Sequence, residues 1–285
     1  MRNVKFYSLL FIIGIVFHSC SKEKYEAQVP AYISINDITL ITSYATEGSA
    51  SENITDAWVY VDDDLVGVYE LPATFPVLKE GNATLKIYAG IKDNGVSASR
   101  KRYLLYDPYV EQLNLVRGET INITPTITYN SGAKFTWMED FENASLSFLY
   151  TTGSDTVINK TTTNVKEGTS SGRVYLDAGM DFFETTSVAY SSLPHNGTPI
   201  YLEMDFITNE PVIVGIYADT DQKAVVTLNT TSEWKKIYIN LTDVINTSLS
   251  SAAIKVFLGI KATENDPFIS ANPEIYLDNI KLVHY

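Results

Sequence analysis

Cysteine is nearly absent from this chain of 285 residues. Cys20 is the only one, so no intramolecular disulfide can form and the fold must be held by its cores. Histidine is almost as scarce, with three residues, and the His/Cys spacing of a structural zinc site cannot be assembled. No Gly-x-Ser-x-Gly elbow and no phosphate-cradling glycine loop occurs, and the turn Pro194-His195-Asn196-Gly197 holds the one histidine a Ser-His-Asp arrangement would have to use. A carboxylate pair for glycoside hydrolysis is not excluded by composition, but a small sandwich is a poor host for such a cleft, and the chain reads as non-catalytic. Basic residues are few, 21 against 34 acidic. That balance argues against nucleic acid and against an anionic lipid surface, both of which reward Lys/Arg clusters. Beyond residue 20 no apolar run approaches the roughly 20 residues that span a bilayer. Long helical periodicity is missing too, while Tyr, Thr, Val and Ile are plentiful, which points to β structure.

One apolar run stands at the start. Arg2 and Lys5 precede the mostly apolar stretch Phe6 to Phe17, too short to span a membrane and of signal-peptide length. The run ends on His18-Ser19-Cys20. This resembles the lipobox of bacterial lipoproteins, in which cleavage leaves an acylated cysteine as the first mature residue. The resemblance implies lipidation of Cys20 and a membrane contact made through that lipid. An ordinary secretory signal with an unpaired thiol is the plainer alternative. Removing residues 1–19 would leave 19 basic and 34 acidic residues, a net charge of −15 over 266 residues. That length suggests two domains of ~100–200 residues each. Residues 20–29 read as a polar tether ending before Pro30. Lys22-Glu23-Lys24 loosely resembles the charged surface-export signal of Bacteroidetes lipoproteins, and an ordinary solvated linker accounts for it as well.

From Pro30 to about residue 131 the pattern has period two. Ala57, Val59 and Val61 alternate with Trp58 and Tyr60; Leu85, Ile87 and Ala89 alternate with Lys86 and Tyr88; Ile121, Ile123 and Ile127 alternate with Asn122, Thr124 and Thr126. Turn signals fall between such runs, as at Glu80-Gly81-Asn82 and Asp93-Asn94-Gly95. An immunoglobulin-like β-sandwich is expected. The stretch from Ala57 to Leu85 resembles PEGA-like modules of surface proteins, which implies a spacer or docking role. Asp62-Asp63-Asp64 lacks the spacing of a calcium loop and reads as a hairpin turn.

Residues 132–285 repeat the alternation more clearly. Ile200, Leu202, Met204 and Phe206 oppose Tyr201, Glu203 and Asp205; Ile237, Ile239 and Leu241 oppose Lys236, Tyr238 and Asn240; Ile254, Val256, Leu258 and Ile260 oppose Lys255, Phe257 and Gly259. This many one-faced strands in about 150 residues is the size of a jelly roll. Glu139-Asp-Phe-Glu142, Lys166-Glu-Gly-Thr-Ser-Ser-Gly172, Ser232-Glu-Trp-Lys-Lys-Ile-Tyr238 and Ile275-Tyr-Leu-Asp-Asn-Ile-Lys-Leu282 stand in the order seen in carbohydrate-binding-module jelly rolls, which this half resembles. The resemblance implies a burial site for Trp234 and a structural calcium held between Glu142 and Asp278, with capping of backbone N–H groups as the other use for Asp278.

Glycan recognition needs rings on a sheet face with carboxylates or amides beside them. Tyr201, Tyr217 and Tyr238, with Glu203 and Asp205, fall on the polar faces of their strands and are the candidate glycan-binding residues. Phe257 and Asn240 fall there too, although strands that alternate between sheets need not bring these rings together. The sequence thus predicts an all-β outer-membrane lipoprotein, surface-exposed or on the periplasmic face. It would bind a glycan without catalysis, or else dock on an outer-membrane protein complex as an accessory subunit or adhesin.

Overall fold

The computed structural model describes residues 29–285. The expected leader and Cys20, the residue expected to carry lipid, lie outside the described residues. No helix among the described residues is long and apolar enough to cross a membrane.

The protein is all-β, built as two β-sandwiches in tandem. The first contains β1 (Ala31–Ile35), β2 (Thr39–Leu40), β3 (Asp56–Val61), β4 (Asp64–Glu70) and β5 (Ala73–Val77). It continues with β6 (Gly81–Lys92), β7 (Arg100–Arg102), β8 (Tyr109–Leu115), β9 (Thr120–Ile123) and β10 (Thr126–Ile127). One sheet runs β4-β3-β6-β7, with β8 on the remaining length of β6. Against it pack β5-β1-β9 and the pair β10-β2. The expected alternation is what closes this core: Ala57, Val59 and Val61 meet Ile33, Ile35, Phe75, Leu85 and Ile87 in one apolar cluster. Asp62 and Asp63 form the hairpin turn, both with φ near +60° (50° and 68°), which Asp tolerates. The run 121–127 is not one strand. Pro125 has no N–H to give to a ladder, and the run splits into β9, parallel to β1, and β10, parallel to β2.

The second sandwich begins with β11 (Lys134–Glu139), β12 (Leu149–Tyr150), β13 (Asn159–Thr161), β14 (Ser171–Tyr175), β15 (Phe182–Thr186) and β16 (Ile200–Thr208). It ends with β17 (Val212–Ala218), β18 (Asp221–Leu228), β19 (Thr231–Asn240), β20 (Ile254–Lys261) and β21 (Glu274–His284). One sheet is β13-β14-β21-β16-β19, with β11 also on β21; the other is β12-β15-β20-β17-β18. Ile200, Leu202, Met204 and Phe206 face Val212, Val214, Ile216, Val256 and Leu258 across the core. Trp234 departs from expectation: it lies within β19, half-buried, outside this apolar cluster. A second departure is in β21. Asn279 has φ of 50°, and the register against β16 shifts there. The resulting bulge breaks the period, so that Ile275 and Leu277 point into the core before it and Ile280 and Leu282 after it.

The outer face of the six-stranded sheet is not solvated, because the first sandwich lies on it. Glu203, fully buried, accepts hydrogen bonds from the Tyr103 hydroxyl (2.6 Å) and the Tyr129 hydroxyl (2.9 Å), with Lys236 Nζ 3.3 Å away. The Tyr103 ring packs against Tyr201 and Tyr238 with centroids 4.9 Å apart in each case. Tyr201 donates to Asp93 (3.1 Å), and the Tyr238 hydroxyl accepts from the Asn53 N–H (3.2 Å). Ser51 donates to Asp205 at 2.8 Å. Lys281 donates to the Ser49 carbonyl (2.5 Å), and burial pulls its ammonium down to about 8. Tyr201 and Tyr238 belong to the first sandwich's apolar cluster as much as to their own strands.

Removing one partner of a buried ion pair leaves the other uncompensated, at a cost of about 3–5 kcal/mol. Glu203→Ala is therefore expected to lower the unfolding free energy by that order in urea titration, whereas an unchanged midpoint would show that the junction contributes nothing to stability.

Candidate functional site

The four residues Tyr201, Tyr238, Glu203 and Asp205 do come together, but in the junction. Their exposures are 5%, 1%, 0% and 0%, so they cannot meet a polysaccharide from solvent as the alternation suggested. The strand pattern assigned them to the correct side of the sheet. What covers that side is the other sandwich.

Tyr217 is on the opposite sheet, whose outer face is open. The outward residues there are Phe182 and Glu184 on β15, Lys255, Phe257 and Lys261 on β20, Ile213 and Tyr217 on β17, and Gln222 on β18. Two outward positions in the middle of this sheet are glycines, Gly215 and Gly259. A Cβ at Gly215 would stand 2.2 Å from the Lys223 carbonyl oxygen and 2.7 Å from the Phe257 ring; one at Gly259 would stand 2.9 Å from the Phe183 carbonyl oxygen and 3.4 Å from Glu184 Cγ. Their lack of side chains lowers the floor. Phe257 lies down over Gly215, only 3% exposed, and supports the Tyr217 ring at a centroid distance of 5.3 Å. Glu184 extends over Gly259, its two oxygens accepting from the Tyr217 hydroxyl (2.9 Å) and the Gln222 amide (2.8 Å). A polar bridge thus crosses from β15 over β20 to β17 and β18. Burial and this carboxylate together push the Tyr217 hydroxyl up to about 12, so it stays a donor.

On either side of Glu184 the face is hollow. One depression of about 300 Å³ is lined by Phe182, Glu184, Ile213, Gln222 and Lys261; the next, of about 320 Å³, by Tyr150, Glu184, Tyr217, Asp219 and Lys255. Beyond Ile213 and Lys261 a third of about 280 Å³ continues to Phe268 and Ile269. The three share lining residues and form one open trough. Apolar side chains are exposed along it: Tyr150 is 62% exposed and Ile269 76%. The sequence pattern does not mark Glu184, which links the hollows, because the run Phe182-Phe183-Glu184-Thr185-Thr186 shows no clear polar–apolar alternation.

The proposed calcium ligands can be tested for fit. Glu142 accepts from the N–H groups of Thr169 and Ser170 (2.8 and 2.9 Å) and from the Thr169 hydroxyl (2.6 Å). These donors hold its carboxyl below the usual range. Asp278 accepts from the N–H groups of Lys166 and Glu167 (3.2 Å each) and of Asn279 (2.9 Å). N–H groups aimed at both carboxylates repel a cation, and among the described residues no group of three acidic, His or Cys side chains is arranged to hold a metal. The pair does not fit calcium; capping is what the geometry provides for Asp278.

No protein-family model matches the sequence, and no curated protein is similar to it. Several solved structures are similar in strand arrangement. The C-terminal family 22 carbohydrate-binding module of Clostridium thermocellum Xyn10B shares 12% identity over 53% of this chain and 92% of that one, with a TM-score of 0.36. The family 11 carbohydrate-binding module of the C. thermocellum cellulase Lic26A-Cel5E shares 15% over 55% of this chain and 96% of that one, TM-score 0.36. The CBM22-2 xylan-binding domain of Paenibacillus barcinonensis Xyn10C shares 12% over 52% and 99%, TM-score 0.36. At this level a likeness says nothing about ligand, and the trough's own side chains must decide what it can hold.

Asp278 carries a testable signature. Burial, with Asp205 beside it, raises its carboxyl to about 7 from 3.8. The folded form binds this proton more tightly than the unfolded chain. The corresponding stability is present below about pH 4 and is lost as pH rises through about 7. Asp278→Asn is expected to flatten the fall in urea midpoint between pH 5 and pH 8; an equal fall in the variant would reassign the effect to other groups.

Proposed function

We propose that the protein is a non-catalytic, lipid-anchored glycan-binding module of the outer membrane, facing the cell surface, and that the trough on β12-β15-β20-β17-β18 is the binding face. The observation that carries this is the combination, on one open face, of accessible rings (Tyr150, Tyr217, Phe182) with a fixed carboxylate and amide (Glu184, Gln222). Sugar C–H faces pack on rings, and sugar hydroxyls exchange hydrogen bonds with carboxylates and amides.

Membrane attachment rests on the Cys20 sequence signal. Each buried methylene of an acyl chain contributes about 0.8 kcal/mol, and a single chain binds only marginally, so stable anchoring requires more than one. With Cys20 acylated, the first sandwich stands between the bilayer and the trough.

A second reading, docking on an outer-membrane protein complex, is favoured by the outer face of β4-β3-β6-β8. There Trp58 and Tyr60 lie beside exposed Leu65, Val68 and Val110, and Arg102 sits 4.4 Å over the Tyr88 ring. A partly apolar sheet face of this kind suits a protein contact. It is a different face from the trough, so the two readings concern different residues.

On a polysaccharide array, Tyr217→Ala is expected to weaken binding by about tenfold, the scale of one ring contact of roughly 1.4 kcal/mol. Undiminished binding by that variant would remove the trough from consideration. Cys20→Ala is expected to move the protein from the membrane pellet to the soluble fraction, and retention in the pellet would refute the lipid anchor.

A further inference from the structure

The polar groups of the trough are unevenly partnered. Both oxygens of Glu184 are engaged by Tyr217 and Gln222, Asp219 accepts from the Ala253 N–H at 2.9 Å, and Asp221 lies 3.6 Å from Lys223. Asp266, at the far end, is the one acid lining the hollows that no donor meets among the described residues. The two lysines of the face are different. Lys255 and Lys261 form neither an ion pair nor a hydrogen bond with any described residue, in a chain whose acids outnumber its bases 34 to 21. Each is also the cross-strand neighbour of a ring: Lys255 is paired with Tyr217, and Lys261 with Phe182, whose ring its ammonium overlies at 5.7 Å. They stand six positions apart along β20, about 20 Å at a strand's rise. The trough therefore offers two ring and ammonium pairs, Lys261 over the Phe182 ring and Lys255 across from Tyr217, neither ammonium having an anionic partner among the described residues.

Given the glycan-binding reading on which this rests, we propose that the trough selects acidic polysaccharides, those built with uronic acid, over neutral ones. A uronate pyranose presents a C–H face to the ring and a carboxylate to the adjacent ammonium, and a chain long enough to reach both pairs is held at two charged points. Neutral glycans can use the rings and Glu184 but give neither lysine an anionic partner. Glu184 and Asp219 keep their charge although neutral donors meet them, so the selection requires the two ammonium groups to stand nearer the uronate carboxylates than these acids do.

The test uses the full-length protein in affinity electrophoresis against polygalacturonate, alginate and chondroitin, each beside its carboxyl-reduced form. At least one uronate polymer is expected to bind about tenfold more tightly than its reduced counterpart, with the advantage shrinking as salt is raised. The double variant Lys255→Gln/Lys261→Gln should bring the two forms within about twofold of each other while keeping the binding to the reduced polymer, which also reports that the variant is folded. Equal or tighter binding of the reduced forms overturns the charge selection and leaves the trough as a glycan site. A preference that survives in the double variant overturns the assignment to these lysines. Binding to none of the six polymers overturns the selection together with the reading beneath it.

Discussion

Glu203 lies mid-strand on the outer face of a sheet, where an acid would ordinarily point into water, and it has no exposed surface. A carboxylate there requires fixed partners, because desolvating it without them costs several kcal/mol. The first sandwich supplies two of them, the hydroxyls of Tyr103 and Tyr129, and the neighbouring strand supplies Lys236. The hydroxyls of Tyr103 and Tyr129 stay protonated and able to donate, since burial raises both well above the usual range. The arrangement is reciprocal: the tyrosines and the carboxylate are all buried, and each meets the other's hydrogen-bonding need. Around this centre the rings of Tyr201, Tyr238 and Tyr106 fill the space, and Asn94 extends the contact by donating its N–H to the Tyr238 carbonyl. Two sandwiches joined in this way share a core.

That constraint decides which surface is left to bind anything. A two-sheet sandwich has two outer faces, and the junction consumes one. The remaining face is the sheet with two outward glycines, and the hollows follow from them. Without a Cβ at residues 215 and 259, Phe257 can lie flat and Glu184 can reach across β20 toward Tyr217 and Gln222. The same backbone with alanine at residue 215 would drive a methyl group into the Lys223 carbonyl and the Phe257 ring. A fixed carboxylate with two donors does not turn to follow solvent, so less ordering is required when a ligand arrives.

Much of this was legible in the chain, for a physical reason that also marks its limit. Side chains alternate across a strand, so Ile200, Leu202 and Met204, or Val256 and Leu258, declare which side is buried before any partner is known. The alternation gives no information about what covers the other side. Period two puts Tyr201, Tyr238, Glu203 and Asp205 on the polar face, which by itself implies solvent, whereas Tyr217, by the same rule, is on a face that is open. A clue was available in the charges. Glu203 faces Lys281 and Asp205 faces Lys236 on adjacent strands, opposite signs in each pair, and tyrosines that carry one polar atom on a large apolar body alternate among them. That composition suits a buried polar contact better than a hydrated surface. Asp278 shows a second limit. A strict period of two would put it with Ile280 and Leu282, but Asn279 in the left-handed region inserts a bulge, and the period slips by one residue. Glu184 shows a third, since its role depends on residues two and three strands away and on two glycines whose significance lies in what they omit.

The shared core also bears on how a tethered protein meets its ligand. On the proposed anchoring, residues 20–30 would separate the lipid from β1, and beyond β1 the two sandwiches are joined through a shared core. Two sandwiches hinged on a loose linker would let the trough take any attitude relative to the first, and each binding event would have to fix that freedom. Here Glu203, Lys236, Lys281 and the tyrosines around them hold the two halves in register. The trough and the outer face of β4-β3-β6-β8 consequently keep a constant relation. A glycan in the one and a protein partner on the other would then be held at a set distance and angle by the junction alone, without any change of shape in either sandwich. The buried carboxylate thereby links stability to the geometry of presentation, since disrupting its contacts would weaken the fold and loosen that geometry together.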